Sequence, residues 1–179
     1  MGAAATIFTV GHSTRTLEEL VEMLKAHGVE EIADVRRFAG SRRLPWFHAE
    51  SLAKSLPKLG VRYVGVPLLG GRRKPNADSI NTGWRNASFR AYADYMQTEP
   101  FLEGLEQLMS EARDRPTAMM CAEAVPWRCH RSLIADALIV RGWQVMDVMS
   151  ATKAAEHKLT PFARVEGTRI TYPGEEGLF

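Results

Sequence analysis

Apolar positions along the chain follow two periods, one of strands and one of helices. Thr6-Ile7-Phe8-Thr9-Val10 is a short β-branched run that stops at Gly11 and reads as a strand. Leu17, Leu20, Val21 and Leu24 then recur at helical spacing up to His27-Gly28, with Thr14 or Thr16 as the cap and glycine as the stop. Ile32 to Arg36 reads as a second strand, and residues 37–47 as a basic loop with Gly40 and Pro45. A short helix follows from Leu52 to Leu59, then a third strand from Val61 to Val66. Residues 67–86 carry Pro67, Gly70-Gly71 and Arg72-Arg73-Lys74-Pro75 and read as a long loop, a length that is usually functional in a compact domain. Ser88 caps a helix through Met96, and Pro100 opens another from Phe101 to Arg113, with Leu102, Leu105, Leu108 and Met109 inward. Pro116 to Cys121 is a buried-looking strand, Arg131 to Arg141 a helix with Leu133, Ile134, Ala137 and Leu138 on one face, and Trp143 to Val148 a fifth strand. Arg164 to Ile170 reads as a small hairpin with Glu166-Gly167 at the turn.

This alternation predicts an α/β fold: a mostly parallel sheet of about five strands with helices on both faces. Residues 1–179 read as a single domain, its core over residues 6–150 and a C-terminal extension over 151–179. In such sheets ligands bind outside the carboxyl ends of the strands. Those ends carry Gly11-His12-Ser13, Asp34-Val35-Arg36, Gly70-Gly71 and Cys121-Ala122-Glu123. The candidate site is placed there.

Charge sharpens the picture. The 179 residues hold 23 Lys and Arg against 21 Asp and Glu, a net +2. Residues 36–90 hold nine Arg and three Lys against Glu50 and Asp78, so this segment carries +10 and the remainder −8. Association with anions follows local field rather than net charge. The segment is either a solvated face or the footprint of an anionic partner, a phosphate-bearing small molecule or a nucleic acid. Two cysteines are too few for a secreted disulfide scaffold. No apolar run approaches the roughly 18–20 residues of a membrane span, and the start lacks a basic signal-like region. The expectation is a soluble cytoplasmic protein without a membrane partner.

The stretch from Cys121 to Arg131 admits three chemistries. A thiolate at a strand end, facing a helix start with Arg128, His130 and Arg131 nearby, would have a lowered pKa and sit in an anion cradle. That reading makes Cys121 or Cys129 the nucleophile of a Cys-dependent transferase or hydrolase, with His12 and His130 as acid–base groups and Glu123 as base or orienter. Arg36, Arg128 and Arg131 would hold the anion, joined by Ser13, Asp34, Gly70 and Gly71. A metal site from Cys121, Cys129, His130 and His12 is less favoured, because adjacent Cys129 and His130 rarely reach one ion and no Cys-x-x-Cys pair exists. The cofactor is left open, a metal being possible but not favoured. In the third reading both cysteines are inert core residues, Glu123 is a salt-bridge partner and Asp34–Arg36 closes a strand end. The nucleic-acid alternative uses segment 36–90, with Trp46, Phe47 and Trp84 among its arginines.

Gly11-His12-Ser13, Asp34-Val35-Arg36, the Gly70-Gly71 loop and Cys121-x-Glu123-x-x-Pro126-x-x-Cys129-His130-Arg131 together resemble the family called domain of unknown function 488. The resemblance runs over roughly residues 6–172. It implies that the strand-end residues are the family's motif positions. A fold-level similarity to rhodanese-like and Cys-dependent phosphatase domains rests on Asp34-Val35-Arg36 and on Arg131-Ser132 opening a helix. The loop departs from the phosphatase pattern: six residues separate Cys121 from Arg128, and it contains Pro126 and Glu123 but no glycine.

Overall fold

The structure is a computed structural model and describes residues 5–37, 44–71, 73–74 and 76–174. Gly40, Arg42 and Arg43 of the basic loop, and Arg72 and Pro75 of the long loop, lie outside the described residues. Among the described residues eight strands form: β1 (Thr6–Gly11), β2 (Glu31–Asp34), β3 (Arg62–Gly65), β4 (Thr117–Cys121), β5 (Gln144–Val148), β6 (Ala154–Glu156), β7 (Arg164–Glu166) and β8 (Arg169–Thr171). The helices are α1 (Leu17–Ala26), α2 (Ala49–Lys58), α3 (Ala87–Tyr95), α4 (Glu99–Asp114) and α5 (Arg131–Ile139).

Strands β1 to β6 make one sheet in the order β3-β2-β4-β1-β5-β6. All pairs are parallel except β5–β6. Side chains alternate between its two faces, and two cores follow. Val10, Ile32, Ala118, Met120 and Val148 pack with α1 and α2, while Ile7, Ala33, Met119, Cys121 and Val145 pack with α3, α4 and α5. The chain therefore leaves β2 toward one face through α2 and leaves β4 toward the other through α5. Neighbouring strands whose connections part in this way open a crevice at their carboxyl ends.

Helix ends follow local chemistry, with corrections. Thr16 caps α1, and Glu19 returns a bond to the Thr16 amide, a reciprocal box. Asn86, not Ser88, caps α3, through bonds from the Ser88 and Phe89 amides. Thr98 caps α4 and puts Pro100 at its second position. Helix α2 begins three residues before the expected Leu52, because a 3-10 turn at Pro45–Phe47 runs into it without a side-chain cap. Strand β6 has no strand pattern in Ala154-Ala155-Glu156; it exists because it pairs with β5. The β7–β8 hairpin turns at Gly167-Thr168, one residue later than predicted, with Gly167 at positive φ in the first central position.

The C-terminal segment is fastened to α5. Residues Arg131 to Leu138 are all buried, not one face alone, because β8 and its flanks cover the outer side. Asp136 accepts hydrogen bonds from Tyr172 Oη at 2.7 Å, Thr160 Oγ1 at 2.7 Å and the Thr160 amide at 3.1 Å. His157 Nε2 lies 3.1 Å from Asp136, and its Nδ1 lies 3.7 Å from Asp147. Burial alone would lower the His157 pKa, but the two carboxylates raise it to about 9. Its folded value lies above its unfolded one, so its contribution is whole below about pH 6.5 and fades as pH rises through 9. His157→Gln should cost about 1–3 kcal/mol at pH 6 by urea unfolding, and the gap to wild type should close above pH 9. A gap independent of pH would contradict the latch.

Candidate active site

The crevice between β2 and β4 holds a cavity of about 250 Å³. Arg36 and Arg37 line it from β2; Cys121 and Glu123, and Arg128 to His130, line it from β4. Phe89 and Tyr92 of α3 close the far wall, and Gly71 the rim.

Behind the Cys121 wall lies a buried charge. Arg131, at the start of α5, is 0 % exposed. Its Nη1 donates to the Glu123 carbonyl at 2.7 Å and to Cys121 Sγ at 3.0 Å, and its Nη2 donates to the Ala124 carbonyl at 3.1 Å. Among the described residues, no carboxylate forms an ion pair with it. A buried guanidinium without a counter-charge is costly. The sulfur at 3.0 Å is the group able to supply that charge.

Cys121 responds accordingly. Burial pushes its thiol up, but the neighbouring Cys129 side chain, the Arg131 charge and the Glu123 backbone bring it down to about 7. Cys129 moves the opposite way, well above an ordinary thiol, because it is buried and faces the Cys121 sulfur. The two shifts run in opposite directions, so Cys121 is the more readily ionised sulfur of the pair. The α5 start adds the Arg131 amide, 3.5 Å from Cys129 Sγ.

His130 is held as neutral imidazole. Burial lowers its pKa to about 4. Nε2 lies 3.2 Å from the Val35 carbonyl and so carries the hydrogen, leaving Nδ1 as an acceptor 3.5 Å from Cys129 Sγ. Tyr92 packs its ring 4.9 Å from the imidazole and donates to the Leu69 carbonyl. Gly71 lies against the same ring, where a Cβ would come within 3.2 Å of Nδ1. Gly70 is required by its close approach to the Arg37 backbone. Both glycines thus permit packing of the walls.

Asp34 aims Arg36. Nε donates to Oδ1 at 2.8 Å and Nη2 to Oδ2 at 2.7 Å, while Tyr63 donates to Oδ2 at 2.6 Å. Arg36 also donates to the Phe47 carbonyl at 2.7 Å and to His12 Nε2 at 3.3 Å. These bonds leave one of its five N–H groups for the cavity.

The other predicted residues separate. His12 is not a cavity residue: it stacks on Phe47 at 4.2 Å, and its Nδ1 donates to the Ser13 carbonyl. Ser13, at φ 49°, extends the β1–β4 ladder through its amide to Ala122 and lies outside the cavity lining. Glu123 reaches the site through its carbonyl, and its carboxylate lies at the exposed rim. Arg128 is likewise an exposed rim group. Among the described residues, no three His, Cys, Asp or Glu side chains converge as metal ligands. A second hollow of about 510 Å³ lies between Trp84, Trp127 and His157, but no cysteine lines it.

The family model for Domain of unknown function DUF488 matches residues 16–138. The chain belongs to the DUF488 family. The DUF488 match contains Asp34–Arg36, Gly70-Gly71 and the whole of Cys121–Arg131, and it excludes Gly11-His12-Ser13 and the tail at Tyr172. No curated protein and no solved structure matches the chain.

Sequence patterns missed Arg37, Phe89 and Tyr92 in this DUF488 site. Tyr92 and Phe89 are only apolar positions on α3, and nothing in their spacing shows that α3 returns to the mouth of β4. Gly11 was legible as a strand end, but its purpose is steric: a Cβ there would strike the Glu123 carbonyl and come within 2.8 Å of Arg131 Nη1.

Arg131→Gln keeps hydrogen-bond donors and removes the charge. Its effect should be a fall of about tenfold in the Cys121 alkylation rate by iodoacetamide at pH 7, measured by peptide mapping. An unchanged rate in a folded variant would separate Arg131 from the thiolate.

Proposed function

We propose that the protein is a thiolate-dependent enzyme acting on a small anionic substrate, with Cys121 as nucleophile. The observation that carries this reading is the 3.0 Å contact between Cys121 Sγ and the buried Arg131 guanidinium. A sulfur held near pKa 7 is substantially thiolate at neutral pH, and thiolate is the reactive form.

The cavity above the sulfur fits an anion. Arg36 presents one N–H from a frame fixed by Asp34, Tyr63 and His12. Arg37 and Arg128 add positive charge at the lining. A phosphate- or nucleotide-bearing group attached to an electrophilic centre would be drawn in with that centre toward Cys121. Glu123 stands at the rim as the base or orienting carboxylate of this reading. His130 holds the cavity wall rather than acting as a strong base, since it is neutral down to about pH 4.

The nucleic-acid reading comes second. Several arginines of the basic segment are bound within the fold: Arg62 to Glu31, Arg73 to the Gly70 carbonyl and the Tyr95 ring, and Arg90 to the Trp84 carbonyl. Their side chains spend donors on the protein rather than presenting them as a continuous face. Among the described residues no helix is long and apolar enough to cross a membrane.

Charge selectivity tests the reading without a known substrate. The ratio of alkylation by iodoacetate to alkylation by iodoacetamide should exceed that of free cysteine by about tenfold at low salt, and Arg128→Ala should lower it several-fold. Millimolar inorganic phosphate should slow Cys121 alkylation. A ratio equal to that of free cysteine, with no protection by phosphate, would defeat the anion-binding part of the proposal.

A further inference from the structure

Thiolate chemistry at Cys121 does not by itself require a second thiol, yet Cys129 is built against it. Both sulfurs line the same cavity and both are buried. Both sulfurs also meet Arg131, Cys121 Sγ at its Nη1 (3.0 Å) and Cys129 Sγ at its amide (3.5 Å). Cys129 is held by the Arg131 amide at 3.5 Å and by His130 Nδ1 at 3.5 Å, just past the 3-10 turn Pro126–Arg128 that leads into α5. A sulfur beside the buried guanidinium thus shares one cavity with a second thiol that ionises less readily. That is the arrangement of an attacking and a resolving cysteine.

We propose that Cys121 and Cys129 form a peroxide-reactive pair that closes to an intramolecular disulfide. The Cys121 thiolate attacks one oxygen of a hydroperoxide. An S–O bond forms, the O–O bond breaks, and the departing oxygen takes a proton from solvent to leave as water or an alcohol. Sulfur loses two electrons, becoming a sulfenic acid, and the peroxide gains them. The Cys129 sulfur then attacks the sulfenic sulfur. An S–S bond forms, the S–O bond breaks, and the departing hydroxide takes up the Cys129 proton as water. The sum is one hydroperoxide and two thiols giving one disulfide, one water and one further water or alcohol.

The disulfide also changes the charge of the site. It removes the thiolate that neutralises Arg131. The guanidinium would be left buried on the Glu123 and Ala124 carbonyls, with its Nε already lacking a partner. The oxidised protein must then admit an anion beside Arg131 or open residues 122–130. Several of these residues are exposed, including Trp127 at 66 %. The inference rests on Cys121 being a thiolate, but not on its being a catalyst.

The test treats wild type, Cys129→Ser, Cys129→Ala and Cys121→Ser with hydrogen peroxide, with and without dimedone, and maps unreduced peptides by mass spectrometry. Wild type should give a linked Cys121–Cys129 peptide. Both Cys129 variants should give a dimedone adduct at Cys121 and proceed to sulfinic acid at least tenfold faster than wild type. Cys121→Ser should leave Cys129 unmodified. Oxidised wild type should also be cut faster by protease within residues 122–130, and added phosphate should slow the cleavage. No linked peptide in wild type, with sulfinic acid forming as fast as in Cys129→Ala, would overturn the proposal. If peroxide leaves both cysteines untouched while iodoacetamide still finds Cys121 with a low apparent pKa, the pair fails and the thiolate enzyme survives. If neither reagent reacts, both readings fall.

Discussion

A guanidinium buried at 0 % exposure, facing a sulfur at 3.0 Å, is the constraint around which this fold's functional edge is arranged. Arg131 gains three hydrogen bonds there, but hydrogen bonds to carbonyls do not neutralise a charge. The thiolate does. Gly11 is without a side chain so that the Glu123 carbonyl can reach Arg131. The end of β1 therefore serves the end of β4, its partner in the ladder from Phe8–Ala118 to Gly11–Cys121.

Helix α5 is held at two points by different means. At its start Arg131 joins it to the β4 loop. One and a half turns later Asp136, also fully buried, gathers Tyr172, Thr160 and His157 from the C-terminal segment. The two buried charges face separate groups: the Cys121 sulfur for the cation, the His157 imidazole for the anion. The C-terminal residues thus hold α5 rigid behind the site without lining the 250 Å³ cavity. On the other wall, Asp34 and Tyr63 fix Arg36 from β2 and β3. A site so supported has little freedom to reorganise around its sulfur, which is the condition for electrostatic preorganisation.

The parallel core was legible in the sequence because buried strands read as apolar runs and the helices between them carry clear periodicity and stops. Strand β6 was not, since Ala154-Ala155-Glu156 takes its form from its neighbour rather than from its own residues. Cys121, Cys129, His130 and Arg131 could be assigned to one site because eleven consecutive residues contain them. Their separate roles could not. That Arg131 points inward at the sulfur while Arg128 stays at the rim depends on the 3-10 turn that ends at Arg128 and the helix that begins at Arg131. His12 shows the opposite case: adjacent to a strand end, it faces Phe47 on the other core. A strand end identifies an edge of the sheet, and the parity of the residue decides which face it serves. His157 had no supporting pattern at all, because both carboxylates it meets are distant in the chain.

The ultraviolet absorbance of thiolate against pH, in wild type and in Cys121→Ser, tests the Arg131–Cys121 pair most directly. The account predicts one thiolate appearing with a midpoint near pH 7 in wild type and missing from the variant. A wild-type titration beginning only near the ordinary thiol value of about 8.5, or a low-pH transition that persists in Cys121→Ser, would contradict it.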